Sequence, residues 1–169
     1  EYTYNVTFNN IKGLEFKNST DKTSSTYLFS NECTIASKFI NINCPIYSPS
    51  TWGCFQSYRS KNLLLKDSTM GRFDSHFNGV NITIDNCLFG DQGIQVHGFG
   101  DLRITNTKCY ADSFVSVRED YAGNWGGTVI IKNCVLHCKQ TGTGSIFKHN
   151  VNESFDYKVK SVLPSFIID

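Results

Sequence analysis

A short pattern recurs along nearly the whole chain and limits what the chain can fold into. Apolar residues occupy its first, third and eighth positions, and Asn or Asp occupies the fifth. Four close copies begin at Leu63, Ile82, Leu102 and Val129, and three looser copies begin at Val6, Ile40 and Tyr157. The alternation places the apolar side chains on one face of a strand, and the Asn or Asp interrupts it as a bend would. The chain is therefore predicted to consist of repeated units of strand and bend.

The spacing of these copies favours a stack of parallel strands. The compact copies at positions 63, 82 and 102 are 19 and 20 residues apart, and the other intervals range from 23 to 34 residues. Such variation is typical of loops inserted into a constant unit. We predict an all-β fold, a right-handed parallel β-helix that forms a single-stranded coil of six to seven rungs. A β-sandwich is the main alternative, but it would not require Asn at the same place in each unit. Stacked Asn amides could bond from one rung to the next.

Length and charge restrict the classes of function. A chain of 169 residues fits one domain, 1–169, with a sizeable core. Because it begins at Glu1, we expect it to be a fragment of a longer protein. A formal charge of +1 argues against a general nucleic-acid binder. No run of about 18 apolar residues is present, so no membrane span is expected.

The cysteines are predicted to be buried free thiols. There are seven, an odd number, and four of them fall within the repeated pattern: Cys44, Cys87, Cys109 and Cys134. One small apolar thiol in each unit suits the interior of a stack better than a disulfide framework. Cys134 and Cys138 flank His137, but no second matching pair accompanies them. Neither a metal site nor a cofactor is therefore predicted.

A second strand follows the pattern in the compact units, and it carries polar residues. Ile94, Val96, Val115 and Val117 alternate with polar side chains there. Because strand faces alternate, these polar side chains should point outward, with neighbouring units about 4.8 Å apart. We predict one exposed stripe of Asp74, His76, Gln95, His97, Ser116 and Arg118, with Lys148 and His149 as further members. A wide glycine-rich turn containing Trp125 should lie beside it.

Three parts of the sequence carry a family resemblance: Gly71–His76, Asn81–Cys87, and Val117–Trp125 followed by Val129–Cys134. Together they resemble the pectin-lyase-like β-helix domains of bacteriophage tail spikes and pre-neck appendage proteins, over about residues 60–137. The resemblance implies a homotrimeric virion protein of the tail or neck appendage, assembled in the host cytoplasm with other virion proteins. Such proteins recognise, and often cleave, host cell-surface polysaccharide or wall teichoic acid. Fold analogy alone does not establish cleavage.

Candidate site residues follow from the chemistry of glycans. Hydrolysis needs two carboxyl groups, about 5–5.5 Å apart for retention or about 6.5–9.5 Å for inversion. The catalytic candidates are Asp74, Glu119 and Asp120. The ligand-binding candidates are Arg72, His76, Gln95, His97, Arg118, Tyr121 and Trp125. Arginine can clamp an anionic group, histidine can carry a proton, and the indole ring can stack. The same charges could instead be solvated surface or steady a loop through ion pairs.

Three functions remain open at this stage. The leading hypothesis is a receptor-binding module of a phage spike that recognises host-surface glycan or teichoic acid. The second is a polysaccharide depolymerase of the same fold, a glycoside hydrolase or lyase, so that enzymatic activity is left undecided. The third is a purely structural spike segment. Calcium-dependent elimination ranks low because no run of three or four aspartates falls on adjacent outward positions.

Overall fold

The computed structural model describes residues 1–13, 27, 29–46, 55–118, 125–138, 144–150 and 164–169. These residues form an all-β protein of fifteen strands joined in one sheet. The strands are β1 (Thr3–Tyr4), β2 (Thr7–Ile11), β3 (Phe29–Glu32), β4 (Thr34–Ile35), β5 (Lys38–Ile42), β6 (Phe55–Tyr58), β7 (Lys61–Lys66), β8 (Thr69–Asp85), β9 (Leu88–Thr105), β10 (Lys108–Cys109), β11 (Ser113–Arg118), β12 (Trp125–Lys132), β13 (Val135–Leu136), β14 (Ser145–Asn150) and β15 (Ser165–Ile168). None of these segments is a helix that could cross a bilayer.

Consecutive units pair in parallel, as the repeat predicts. The first apolar position of the pattern aligns Leu63 with Ile82, Ile82 with Leu102, and Leu102 with Val129. Residues about twenty positions apart in sequence are therefore neighbours across the sheet. Parallel pairing requires a long connection between paired strands, and the rest of each unit supplies it. The all-β class and the parallel pairing of the four close copies are confirmed.

The predicted start of the second unit at Ile40 is wrong by three residues. Phe39 pairs with Leu65, which places Ser37 at the first apolar position of that unit. Ser37 is buried and accepts a hydrogen bond from Thr34 Oγ1 at 3.0 Å. A serine can occupy an interior position when another side chain satisfies its hydroxyl group. The apolar pattern could not reveal this register because the residue that defines it is polar.

The last unit also differs from the prediction. The copy predicted at Tyr157 lies outside the described residues. Besides β9, β12 pairs with β15, in which Phe166 lies opposite Val129 and Ile168 lies opposite Ile131. The parallel pairing therefore continues beyond the last close copy of the pattern, through a strand that the pattern did not select.

A ladder of Asn and Asp marks the bend in each unit. These residues adopt left-handed backbone conformations: Asn10 (φ 60°), Asn41 (φ 55°), Asp67 (φ 51°), Asn86 (φ 52°), Asn106 (φ 51°) and Asn133 (φ 50°). Asn and Asp tolerate this region better than other residues with a Cβ. Asn86 Nδ2 donates to Asp67 Oδ1 at 2.7 Å, and Asn133 Nδ2 donates to Asn106 Oδ1 at 2.7 Å. The predicted amide stacking is confirmed at these bends.

The apolar positions of successive units form the core. Leu65, Ile84 and Ile104 are fully buried and in register. The rings of Phe55 and Phe73 stack with centroids 5.3 Å apart. Such offset aromatic pairs add to the stabilisation that burial provides.

The cysteines within the pattern lie mostly in this core. Cys44, Cys87 and Cys109 are buried and free, and Cys134 is free and partly buried. The prediction of buried thiols is therefore confirmed for the first three residues. Cys33 and Cys138 are free as well, and Cys138 is exposed. Cys54 lies outside the described residues.

A bulge between β8 and β9 shapes the region that carries the polar residues. Ser75 pairs with Val96 and Gly79 pairs with Gly98, so three residues of β8 face one residue of β9. A Cβ atom on Gly98 (φ +145°) would lie 1.9 Å from the carbonyl oxygen of Gly79. The two backbones can approach this closely because Gly98 has no Cβ atom. The bulge displaces the residues between Ser75 and Gly79 from the regular alternation.

Candidate functional site

The predicted polar stripe corresponds to a column of aligned residues, but its exposure varies. Asp74 pairs with Gln95, Gln95 with Ser116, and Ser116 with Lys148. Lys148 is exposed and Gln95 is partly buried, whereas Ser116 is buried and Asp74 is 0% exposed. The expectation that Asp74 lies on an open face is wrong. Strand alternation gives the direction of a side chain and does not show what covers it.

Asp74 is the centre of a buried ionic network. Arg72 Nη2 donates to Asp74 Oδ2, and Tyr27 Oη donates to the same oxygen at 3.1 Å. His76 Nε2 lies 2.8 Å from Asp74 Oδ1. The side chains of Arg72, Asp74 and His76 are 5%, 0% and 1% exposed. A buried carboxylate is tolerated when it is paired and hydrogen-bonded in this way.

The arginine of this network extends it toward the surface. Arg72 Nη1 donates to Gln92 Oε1 at 2.9 Å, and Arg72 Nη2 donates to Gln95 Oε1 at 2.8 Å. Burial, followed by the charge of Asp74, raises the pKa of Tyr27 well above its usual value. Tyr27 therefore remains a protonated donor at physiological pH. The network holds two glutamine amides in fixed positions.

His76 and His97 are buried, which contradicts their prediction as exposed proton carriers. His76 is 1% exposed and His97 is 0% exposed. Their rings lie 5.9 Å apart with planes at 26°, and the ring of Tyr58 lies 5.4 Å from that of His76. The rings of Tyr58, His76 and His97, which belong to three successive units, thus pack next to one another. Neither histidine is accessible to a ligand, and each is better described as part of the support for the site.

Trp125 is also buried, so its prediction as a stacking residue for a ligand is wrong. Trp125 is 0% exposed, and its Nε1 donates to the carbonyl oxygen of Gly100 at 3.1 Å. It lies opposite Gly98 in the parallel pairing of β12 and β9. A glycine leaves space for a large neighbouring ring. The sequence predicts a wide turn here, whereas Trp125, Gly126 and Gly127 belong to strand β12.

The remaining predicted residues fall outside what the structure describes. Glu119, Asp120 and Tyr121 are in this group, and so is the side chain of Arg118, whose backbone ends β11. The paired-carboxylate geometry therefore stays a prediction for Glu119 and Asp120. Asp74 does not fit a catalytic role, because a reacting carboxylate must touch its substrate and this one is enclosed by its partners.

A small cleft, here called the polar cleft, opens at the exposed end of the column. Its volume is about 210 Å³, and it is lined by Gln92, Gln95, Ala111, Asp112, Ser113, Ser116 and Lys148. Ser116 Oγ donates to Ser113 Oγ at 3.3 Å. Amide and hydroxyl groups can donate to and accept from a polyhydroxylated ligand, and the lysine adds a positive charge. The cleft brings Gln95 together with Lys148 as predicted.

Sequence reasoning missed four residues that line the polar cleft: Gln92, Ala111, Asp112 and Ser113. Gln92 lies within β9 at the left-handed turn formed by Gly93, and Asp112 lies at the bend before β11 in the next unit. Because turn residues are commonly polar for local reasons, their composition gave no reason to select them. The equal placement of these turns in consecutive units was the available signal.

Among the described residues, no group of three or more His, Cys, Asp or Glu side chains could hold a metal ion. Comparison of the chain with protein-family models, with curated proteins and with solved structures finds no match.

Proposed function

We propose that this chain is a receptor-binding module of a phage tail spike or neck appendage that binds host cell-surface polysaccharide or teichoic acid. The observation that carries the proposal is the aligned column of Gln95, Ser116 and Lys148, which opens into the polar cleft. Parallel units place one ligand-contacting residue from each of several layers on one surface. Such repeated surfaces suit extended, repetitive ligands.

The proposal includes a right-handed parallel β-helix of six to seven rungs. The parallel register at intervals of 19 and 20 residues supports it. So do the left-handed bends, which recur at equivalent positions in successive units. A bend at a constant position turns the chain by a similar amount in each unit, as a coil requires.

Preorganisation supports binding at the polar cleft. Gln92 and Gln95 both accept hydrogen bonds from Arg72, so their amide orientations are fixed before a ligand arrives. A ligand that meets groups already in place loses less free energy to ordering them. Arg72 and Asp74 thus act as positioning residues, and the glutamines and Lys148 make the contacts.

The assembly belongs to the same proposal. We expect a homotrimer that contacts other virion proteins and is assembled in the host cytoplasm. Exposed apolar residues support a covered surface: Phe99, Ile146, Ile167 and Ile168 are 47–54% exposed in the single chain. Light scattering coupled to size-exclusion chromatography measures the oligomer, and a monomer at micromolar concentration would contradict this part.

Binding can be tested with purified wall teichoic acid and purified capsular polysaccharide from Gram-positive bacteria, using isothermal titration calorimetry. We expect wild-type protein to bind one of them, and Lys148→Gln or Gln92→Ala to weaken binding about tenfold. Lys108→Gln is the matched control, because Lys108 is exposed on β10 and lies outside the cleft. Its affinity should equal that of the wild type. If the wild type binds neither polymer, the proposal is wrong.

The same samples decide between recognition and cleavage. Recognition predicts that the polymer keeps its length after incubation, as measured by gel filtration. Shortened chains that disappear in the Glu119→Gln variant would instead establish a depolymerase and replace the proposed function.

A further inference from the structure

A second recess, here called the aromatic groove, lies at the other end of the buried network. It is lined by Glu32, Cys33, Tyr58, Arg59 and Phe77, and its volume is about 350 Å³. Small-molecule sites usually occupy about 300–1,000 Å³. The groove is therefore large enough for a ligand, and none of its residues belongs to the polar cleft.

The register of three units builds the groove. Glu32 pairs with Tyr58, and Tyr58 pairs with His76. The next residue in each unit has a left-handed backbone: Cys33 (φ 50°), Arg59 (φ 51°) and Phe77 (φ 52°). Bulky residues seldom adopt this conformation, and such residues are concentrated at functional sites. The ladder of bends described above consists of Asn and Asp residues, whereas Cys33, Arg59 and Phe77 are residue types that rarely adopt this conformation.

The side chains of the groove combine aromatic and charged groups. The rings of Tyr58 and Phe77 lie 5.3 Å apart with planes at 37°, and both are partly exposed. Arg59 and Glu32 are exposed beside them. Within the described part of the chain, neither charge forms an ion pair. The groove thus presents an apolar wall, one cation and one carboxylate.

We propose that the aromatic groove binds a sugar ring that carries an anionic group, either a carboxylate or a phosphate. The apolar face of the ring packs against Tyr58 and Phe77, since aromatic rings supply large apolar contact area. Arg59 binds the anionic group through its forked donors, and Glu32 accepts hydrogen bonds from hydroxyl groups. This inference rests on the proposed function, for which it adds a second subsite.

The buried network connects the two subsites. Tyr58 packs on His76, His76 contacts Asp74, and Arg72 links Asp74 to the glutamines of the polar cleft. Five residue steps separate Arg72 from Phe77, and they span at most roughly 17 Å, because the left-handed backbone at Phe77 shortens the path. One polymer chain is long enough to contact both recesses.

The test is calorimetric titration of the full chain with three polymers: wall teichoic acid, which carries phosphate; a capsular polysaccharide that contains uronic acid; and neutral dextran. We expect the wild type to bind one of the two anionic polymers, and Arg59→Gln to weaken that binding about tenfold. Any binding of dextran should be the same in Arg59→Gln as in the wild type. Phe77→Ala should weaken binding similarly. The polymer that responds identifies carboxylate or phosphate as the bound group.

Controls separate the groove from general effects on charge and folding. Arg103→Gln removes an exposed arginine that pairs with Asp101 at 3.6 Å, and Phe166→Ala removes a half-exposed ring on β15. Both should bind like the wild type, and every variant should keep the wild-type thermal midpoint within about 5 °C. If Phe77→Ala melts lower, Arg59→Gln decides alone, because its side chain is exposed.

Failure of this inference differs from failure of the proposed function. If Lys148→Gln weakens binding but Arg59→Gln and Phe77→Ala stay within twofold of the wild type, the groove is not a subsite and the polar cleft stands. If the wild type binds none of the three polymers, both proposals fall.

Discussion

At the scale of single residues, the buried pair of Arg72 and Asp74 should contribute strongly to stability. Arg72→Met leaves the Asp74 carboxylate buried without its guanidinium partner. Breaking a buried pair by removing one member costs about 3–5 kcal/mol. We expect that loss in the free energy of unfolding, measured by urea denaturation. The matched control is Arg103→Met, whose pair with Asp101 is exposed and should contribute at most about 1 kcal/mol.

The double variant Arg72→Met/Asp74→Leu makes this prediction sharper. Replacing both charges by apolar groups removes the unpaired carboxylate, so part of the lost stability should return. If Arg72→Met alone costs less than about 1 kcal/mol, the network is not a stabilising support for the polar cleft.

The buried thiols predict a dependence of stability on pH. Burial raises the pKa of Cys87 to about 12 and that of Cys109 to about 12. An unfolded chain releases these protons near pH 9, where the folded chain keeps them, so stability falls as pH rises from about 9 toward about 12. At pH 10 each thiol should lower the free energy of unfolding by about 1.4 kcal/mol.

Urea denaturation at pH 8 and pH 10 measures this effect. In the Cys87→Ala/Cys109→Ala variant, the difference between the two pH values should shrink by about 3 kcal/mol, whatever the cost of the cavities themselves. Val115→Ala is the control, since it also leaves a cavity in the core but removes no ionisable group, so the pH dependence should stay unchanged. Equal pH dependence in the wild type and the double variant would show that these thiols ionise as readily in the folded chain.

At the scale of elements, the bend at Asn106 separates two contributions that occur together in the ladder. Asn106 has φ 51°, donates to Asp85 Oδ1 at 2.8 Å and accepts from Asn133 Nδ2 at 2.7 Å. Asn106→Gly keeps the backbone conformation but loses the side-chain bonds, and should cost about 1 kcal/mol. Asn106→Ala loses the same side-chain bonds, and holding alanine in the left-handed conformation costs about 1–2 kcal/mol more.

Unfolding in urea should therefore rank the wild type above Asn106→Gly, and Asn106→Gly above Asn106→Ala. Lys108→Ala, at the exposed position of β10 two residues further along the chain, should change stability by no more than about 0.5 kcal/mol. If the glycine variant is as unstable as the alanine variant, the backbone conformation contributes nothing, and the amide ladder explains the preference for Asn.

The elements also show how far sequence reasoning reaches. Apolar alternation predicted the strands and the register of the four close copies, as at Ile82 and Leu102. It failed at Ser37, whose buried hydroxyl group bonds to Thr34 Oγ1, which also lies 3.1 Å from Ser60 Oγ of the next unit. It also failed to show that Asp74 and Trp125 are buried. Burial depends on neighbouring units and on covering residues, which the local pattern of one strand does not contain.

At the scale of the whole molecule, the parallel sheet should be most stable in its middle. An interior strand pairs with a neighbour on each side and an edge strand on one side only, so interior strands receive more support. Ile84 and Ile104 lie in β8 and β9, which pair with strands on both sides. All residues of β15 are exposed, and every residue of β2 is exposed or partly exposed. The stability of local opening should therefore fall from β8 and β9 toward both ends.

Amide hydrogen exchange followed by mass spectrometry can measure this gradient. We expect amides in peptides from β8 and β9 to exchange at least about 100-fold more slowly than those from β2 and β15, which corresponds to about 2.7 kcal/mol in opening free energy. Arg72→Met should accelerate exchange in β8 and β9 while leaving β15 unchanged, because Arg72 contacts residues of those two strands. Equal protection in all strands would mean that the chain opens as one cooperative unit. In that case the outer strands would receive support that the parallel stack of a single chain does not provide.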